Sequence, residues 1–257
     1  MTSRQLLSAL LLALSAGTLS AQTLLHHWDF SVYDDDAALT QTPDTVSGNL
    51  FSLILPGMSV QSGLLRVRYE SATLGSTFAP LDRAGAPEIY AEIVFTDWLM
   101  AGDALNERIV FGFTQTSSQS PQNAALLTLI RNADNNVLVT GTSGPSTTPI
   151  NIAETLNMPA NLNDPVTFRI GMNIEAQTYS IWYRFGGAED FTQLGTAAIY
   201  DARDALFLRF GADEFFTDPG EIVSISSISV YAVPEPSTYA ALALGLLVAL
   251  SLRRRRA

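Results

Sequence analysis

The chain has 257 residues, a formal net charge of −11 and no cysteine, which excludes disulfides, thiol catalysis and cysteine-ligated metals. Lysine is absent, and between Gln22 and Ala232 nine arginines face 24 acidic residues, a net of −15. The cationic stripe that phosphate backbones require is missing, so no nucleic-acid partner is expected, and the fold has to be held by its hydrophobic core.

Residues 1–21 begin with Arg4, pass through an apolar run and leave through the small residues of Ser-Ala-Gly-Thr-Leu-Ser-Ala. This is the make-up of a secretory signal peptide, with signal-peptidase cleavage expected between Ala21 and Gln22. The apolar run is short for a retained anchor.

From Leu24 onward the hydrophobic signal has period two, the signature of half-buried strands. Strands are expected at Leu24 to Phe30, Leu64 to Tyr69, Glu88 to Phe95, Arg108 to Thr114, Ala125 to Arg131 and Asn136 to Thr140. Further on, Val166, Phe168, Ile170, Met172 and Ile174 share one strand face. Tyr179, Ile181, Tyr183 and Phe185 share another, so 166–185 reads as a hairpin. Ala205 to Phe210 and Glu221 to Tyr231 complete the set, the last with a change of parity that predicts a bulge near Ser226. Only Asp97 to Asn106 has a helical pattern. About ten strands with no strand–helix alternation predict an all-β fold, a two-sheet antiparallel sandwich over residues 22–232.

Candidate chemistry is sparse. His26 and His27 are adjacent on a strand, point to opposite faces and cannot chelate one ion together; His27 and Asp29 share a face, where a surface pair beside Trp28 is the commoner situation than a metal site. Asp34, Asp35 and Asp36 offer oxygen ligands suited to calcium, but consecutive side chains diverge and the EF-hand spacing is absent, which favours a solvated loop; Asp213, Glu214 and Asp218 carry the same argument more weakly. No other cofactor is expected. Glu88, Tyr90 and Glu92 share one strand face and loosely resemble the Glu-x-Asp-x-Glu strand of laminarinase-type glycoside hydrolases, with Tyr90 where the central acid belongs. Four residues of strand separate the two carboxylates by about 13 Å, against roughly 5.5 Å for a retaining mechanism, so exposed glutamates on a solvated face explain the pattern without catalysis. Nucleophile-elbow, phosphate-loop and zinc-hydrolase motifs are missing. Trp98 and Trp182 are the candidates for stacking on pyranose rings. Trp182 is preferred, because it lies opposite the apolar face of its strand, beside Ser180 and Arg184.

At the C-terminus, Val233-Pro234-Glu235-Pro236-Ser237-Thr238 precedes an apolar stretch from Tyr239 to Leu252, and Arg253, Arg254, Arg255 and Arg256 follow. The prolines keep the segment extended and accessible, Ser237 or Thr238 can cap the helix expected over 239–252, and the arginines hold the end of the chain in the cytoplasm. Fourteen residues rise about 21 Å, short of a hydrocarbon core of about 30 Å, a gap that snorkelling arginines and bilayer thinning narrow.

These three parts resemble the PEP-CTERM sorting domain of Gram-negative bacteria. The resemblance implies a chain recognised by a membrane exosortase, transiently tethered to the inner membrane by 239–252, cleaved near the Pro-Glu-Pro, and delivered to the surface or an exopolysaccharide matrix. The opening Leu24-Leu-His-His-Trp-Asp-Phe30, then Asp44-Thr-Val-Ser-Gly-Asn49 and Gly63-Leu-Leu65, resemble the start of laminin-G-like domains of the concanavalin-A-like jelly-roll group. The closing order, a Phe-Arg-Ile hairpin, the Phe191-Thr-Gln-Leu194 loop and a last strand running into the tag, is similar to the second half of such sandwiches. The expected function is therefore that of a non-enzymatic surface or matrix protein, engaging polysaccharide or surface partners with Trp182 and Arg184 as glycan contacts. The alternatives are a glycan-active hydrolase or lyase on the same fold, and a structural matrix protein without a ligand.

Overall fold

Alternating apolar side chains cannot all face water, so segments of this pattern pair into sheets whose apolar faces meet. The computed structural model describes residues 22–52, 57–68, 76–83, 85–100, 108–118, 122–132, 134–213 and 220–233. Its strands are, in chain order, β1 (Thr23–Asp29), β2 (Met58–Gln61), β3 (Leu64–Arg68), β4 (Ser76–Pro80), β5 (Glu88–Leu99), β6 (Arg108–Thr114), β7 (Asn123–Arg131), β8 (Asn136–Ser143), β9 (Ile150–Asn151), β10 (Leu156–Pro159), β11 (Asn161–Leu162), β12 (Val166–Asn173), β13 (Thr178–Phe185), β14 (Thr192–Ala198), β15 (Phe207–Asp213) and β16 (Ile222–Val233).

They form two sheets in which every pairing is antiparallel. A nine-stranded sheet runs β14-β13-β12-β5-β16-β3-β2, with β1 also on β16 and β11 on β5. A seven-stranded sheet runs β10-β8-β7-β6-β15-β4, with β9 on β8. The chain passes between sheets from β4 to β5 to β6, and again from β14 to β15 to β16, so strands remote in sequence become neighbours. The all-β two-sheet antiparallel sandwich is as expected.

One core lies between the sheets. Ile89, Ala91, Ile93 and Phe95 of β5, Phe168, Ile170 and Met172 of β12, and Ile228 and Val230 of β16 come from one side; Ile109, Phe111 and Phe113 of β6 and Leu127 and Leu129 of β7 come from the other. All are fully buried. Each such Ile, Leu or Phe stabilises the fold by about 1.5–3 kcal/mol relative to exposure, which is what holds a cysteine-free domain together.

Several local expectations change. Asp97 to Leu99 are not helical but continue β5, because Trp98 and Leu99 pair with Val223 and Ile222 of β16 and with β11; residues 101–107 lie outside the described residues. The bulge is where the parity change places it, as the β16–β5 register shifts on both sides of Ile225. β15 begins at Phe207, two residues later than the pattern suggests, and reaches Asp213. The short strands β2, β4, β9, β10, β11 and β14 have no alternation strong enough to mark them. They are strands because a longer neighbour offers its edge.

Candidate functional site

The residues of the nine-stranded sheet that point away from the core form ranks across its strands. One rank reads His27, Ser229, Glu92, Arg169, Trp182 and Gln193, contributed in turn by β1, β16, β5, β12, β13 and β14. The next reads Tyr231, Tyr90, Gly171, Ser180 and Thr196. Trp182 and Arg184, the two expected glycan contacts, lie on this face and are half-buried, as are Glu88 and Tyr90, and Glu92 lies there buried. Trp98 does not: it is buried against Phe95 at a ring-centroid distance of 5.6 Å, and its Nε1 donates to the Pro159 carbonyl at 2.9 Å.

Tyr90 and Trp182 meet edge to face, with centroids 5.6 Å apart and planes at 64°. They reach each other over Gly171, where a Cβ would come within 2.6 Å of Tyr90 Cε1 and 2.8 Å of Trp182 Cζ3. A glycine inside a strand is thus the condition for this aromatic floor. The Arg169 guanidinium lies 5.4 Å from the Tyr90 centroid and 4.1 Å from that of Phe191, while Arg184 lies 4.6 Å from the same Phe191 ring. Stacking cations on ring faces is favourable by roughly 0.5–2 kcal/mol each.

The carboxylates of this face are engaged separately. Glu92 accepts from Arg169 Nε at 2.7 Å and also from its Nη2. Glu88 Oε1 accepts from the Tyr90 hydroxyl at 2.6 Å. Burial, followed by that hydrogen bond and the charge of Glu88, pushes the Tyr90 phenol well above its ordinary value, so it stays a proton donor. One glutamate is matched to a guanidinium and the other to a phenol. This arrangement offers ring faces and guanidiniums to a ligand more readily than a paired acid and base.

Away from this face, the Asp44-Thr-Val-Ser-Gly-Asn49 segment is organised by one carboxylate. Asp44 Oδ1 accepts from the Val46 and Ser47 backbone N–H groups at 2.9 and 2.7 Å; its Oδ2 accepts from Asn49 N–H at 2.8 Å and from the Ser47 hydroxyl at 2.5 Å. Burial alone would raise its pKa, but these donors outweigh burial and hold it at about 2. His26 is buried, with Nδ1 3.0 Å from Ser47 Oγ and 3.3 Å from Asp44 Oδ2, and it stacks on Trp28. His27 faces outward, 2.8 Å from Ser229 Oγ, so the two histidines point apart as expected.

In the Asp34–Asp36 stretch, Asp35 accepts from the Ser62 backbone N–H at 2.7 Å and Asp36 has a φ of 67°. Among the described residues no three His, Asp or Glu side chains are grouped so as to hold a metal ion.

Sequence reasoning missed Arg169, Gly171 and Phe191 as parts of this face. Parity does place Arg169 and Gly171 on the outer side of β12, but which side chains they meet depends on the β5 and β13 registers, which the sequence does not display. Of the residues expected to direct export, Gln22 is exposed just before β1 and Val233 closes β16. Ala21 with the rest of 1–21, Pro234, Glu235, Pro236, Ser237, Thr238, the 239–252 stretch and Arg253 to Arg256 lie outside the described residues.

No curated protein matches the chain in sequence. Among solved structures, the metal-free exoplasmic/lumenal domain of VIP36 has a TM-score of 0.56 at 8% identity, covering 82% of this chain and 95% of that one. The same domain in its Ca2+/Man2-bound form has a TM-score of 0.54 at 8% identity, covering 80% and 89%. The CBM2 module of the evolved Dit of Lactobacillus casei BL23 phage J-1 has 0.53 at 11%, covering 83% and 97%. At these identities the likeness is one of fold, and it places the sandwich among concanavalin-A-like jelly rolls. Residues 232–256 match the PEP-CTERM protein-sorting motif, so this chain carries that sorting signal from the last two residues of β16 onward.

Proposed function

We propose that this is an exported protein of the bacterial surface or extracellular matrix, sorted by an exosortase, whose sandwich binds polysaccharide through the outer face around Trp182. The sorting motif implies exosortase-dependent export to the surface. In this reading signal peptidase removes 1–21, the 22–232 domain folds outside, and the 239–252 helix with its arginine run holds the chain at the inner membrane until the tag is processed. The role is one of binding and not of catalysis.

The observation that supports polysaccharide as the partner is the meeting of Tyr90, Trp182 and Phe191 with two guanidiniums on a half-exposed face. Flat rings pack against the apolar faces of pyranoses, and guanidiniums hydrogen-bond their oxygens. A domain of the same fold, VIP36, is known in Ca2+/mannose-bound form.

Affinity electrophoresis of the exported protein in gels containing polysaccharide tests the binding. Retardation of the wild type and its loss in Trp182→Ala are expected; retardation unchanged in Trp182→Ala would remove the platform. Polysaccharide turnover by the wild type that disappears in Glu88→Gln would replace the binding role by a hydrolytic one. Deleting Pro234 to Pro236 should leave the protein unprocessed and mislocalised, and an unchanged mass and location would reduce the tag to a plain anchor.

A further inference from the structure

Two positive charges are brought to one ring on a strongly acidic domain. Arg169 and Arg184 stand 4.1 and 4.6 Å from the Phe191 centroid, which puts the two guanidiniums within about 9 Å of each other. Arg169 is matched by Glu92. Arg184 has no hydrogen bond or ion pair among the described residues; its only partner is the ring, although Glu189 and Asp190 stand next to Phe191 in the chain, both exposed. Two other arginines meet carboxylates, Arg66 with Asp97 and Arg83 with Asp204, while Arg203 lies over the Tyr200 ring and donates to the Asn123 carbonyl. Arg184 gains the contact with the Phe191 ring but has no counter-charge, and Arg169 nearby repels it.

Glu88 and Arg184 stand at opposite ends of this face along the strands. Glu88 is level with Asn173 and Thr178, whereas Arg184 is level with Thr167 and, across β12, with Val94. Six residues of strand put the Glu88 end about 20 Å from the Arg184 end. Trp182 lies two residues from Arg184 on the same side of β13, a rise of about 7 Å, which is the scale of one sugar ring.

We propose that this end of the face selects carboxylate-bearing polysaccharide, a uronate ring packing on Trp182 while its carboxylate is held by the guanidinium of Arg184. A planar carboxylate matches the donor fork of arginine and supplies the missing counter-charge. Arg169, already matched by Glu92, positions Phe191 and adds a second cation at longer range. The inference rests on the reading of this face as a glycan site.

The experiment measures binding of the full exported protein to polygalacturonate, to the same polymer after carboxyl reduction, to a neutral glucan and to dextran sulfate, at low and moderate salt. The expected result is binding to polygalacturonate at least tenfold tighter than to the reduced polymer, weakening with salt, with Arg184→Gln losing about tenfold on polygalacturonate only. Arg184→Lys should recover part of the loss, and unchanged thermal midpoints verify that the variants fold. Equal affinity for the native and reduced polymers, a preference for dextran sulfate, or wild-type affinity in Arg184→Gln each overturns the carboxylate assignment while leaving a Trp182-dependent glycan face in place. Absence of binding to every polymer overturns the glycan face itself, and the assignment with it.

Discussion

Thr23 stands opposite Ala232 in the ladder between β1 and β16, so the first and last described strands end side by side at one corner of the nine-stranded sheet. Val233, on the same strand, still pairs with Glu88 of β5. The residues matched by the sorting motif therefore begin inside the sheet, with no spacer between folded domain and tag. Recognition by strand addition requires free backbone groups, and a residue paired in a ladder does not offer them. A six-residue Gly-Ser spacer between Val233 and Pro234 should accelerate removal of the tag while leaving the thermal midpoint of the domain unchanged. Pulse-chase labelling with mass analysis measures this, and a processing rate unmoved by the spacer would show that the sheet does not restrain the motif.

Two crowded strand glycines differ in what crowds them. At Gly171 a Cβ meets the outer edges of two rings, which can shift; at Gly112 it meets the backbone carbonyl of Ala125, at a φ of 147°. Gly171→Ala should cost about 1 kcal/mol and alter the near-ultraviolet signal of Trp182, whereas Gly112→Ala should cost about 3 kcal/mol or more. Urea unfolding of both variants gives the comparison, and equal costs would mean that the backbone at Gly112 relaxes.

The Asp44 carboxyl falls from 3.8 in the unfolded chain to about 2 in the fold, a difference worth about 2 kcal/mol. Because the folded value is the lower one, this stabilisation is fully present above about pH 4 and is lost as the pH falls towards 2. Asp44→Asn should be less stable than the wild type by about 2 kcal/mol at pH 7 and by much less at pH 2. A stability gap that stays constant over that range would place the effect in shape and not in charge.

Glu92 and Arg169 form a largely covered pair, with side chains 11% and 22% exposed. Removing one partner leaves the other charge poorly solvated, so Glu92→Gln should cost about 2 kcal/mol, and a double-mutant cycle with Arg169→Gln should give a coupling of about 1–2 kcal/mol. Arg169→Lys keeps the charge but loses the two-pronged contact and the stacking on Tyr90 and Phe191, so it should not restore stability. A cycle with no coupling would reduce the pair to a surface contact.

What the sequence alone determined was periodic or strictly local. Period-two alternation set the principal strands and the core residues of β12, because burial of one face of a strand is written in every second residue; on the β13 face Tyr179 and Ile181 are buried but Phe185, near the strand end, is exposed. The Pro-Glu-Pro tag was legible for the same reason, since its parts are contiguous and each acts locally. The parity break in β16 announced its bulge.

The tertiary structure decided everything that depends on pairing between strands far apart in the chain. Asp97 to Leu99 extend β5 because β16 and β11 supply partners 62 to 127 residues away, a long-range force that overrides a helical local pattern. Parity put Trp182 on the outer side of its strand, but that it meets Tyr90 there, and that Trp98 fills the core against Phe95, came from the pairing. Arg169, Arg184 and Phe191 meet because β12, β13 and the turn before β14 fold into one register. Alternation tells which side of a strand a residue occupies; only the hydrogen-bonded register tells what it meets there.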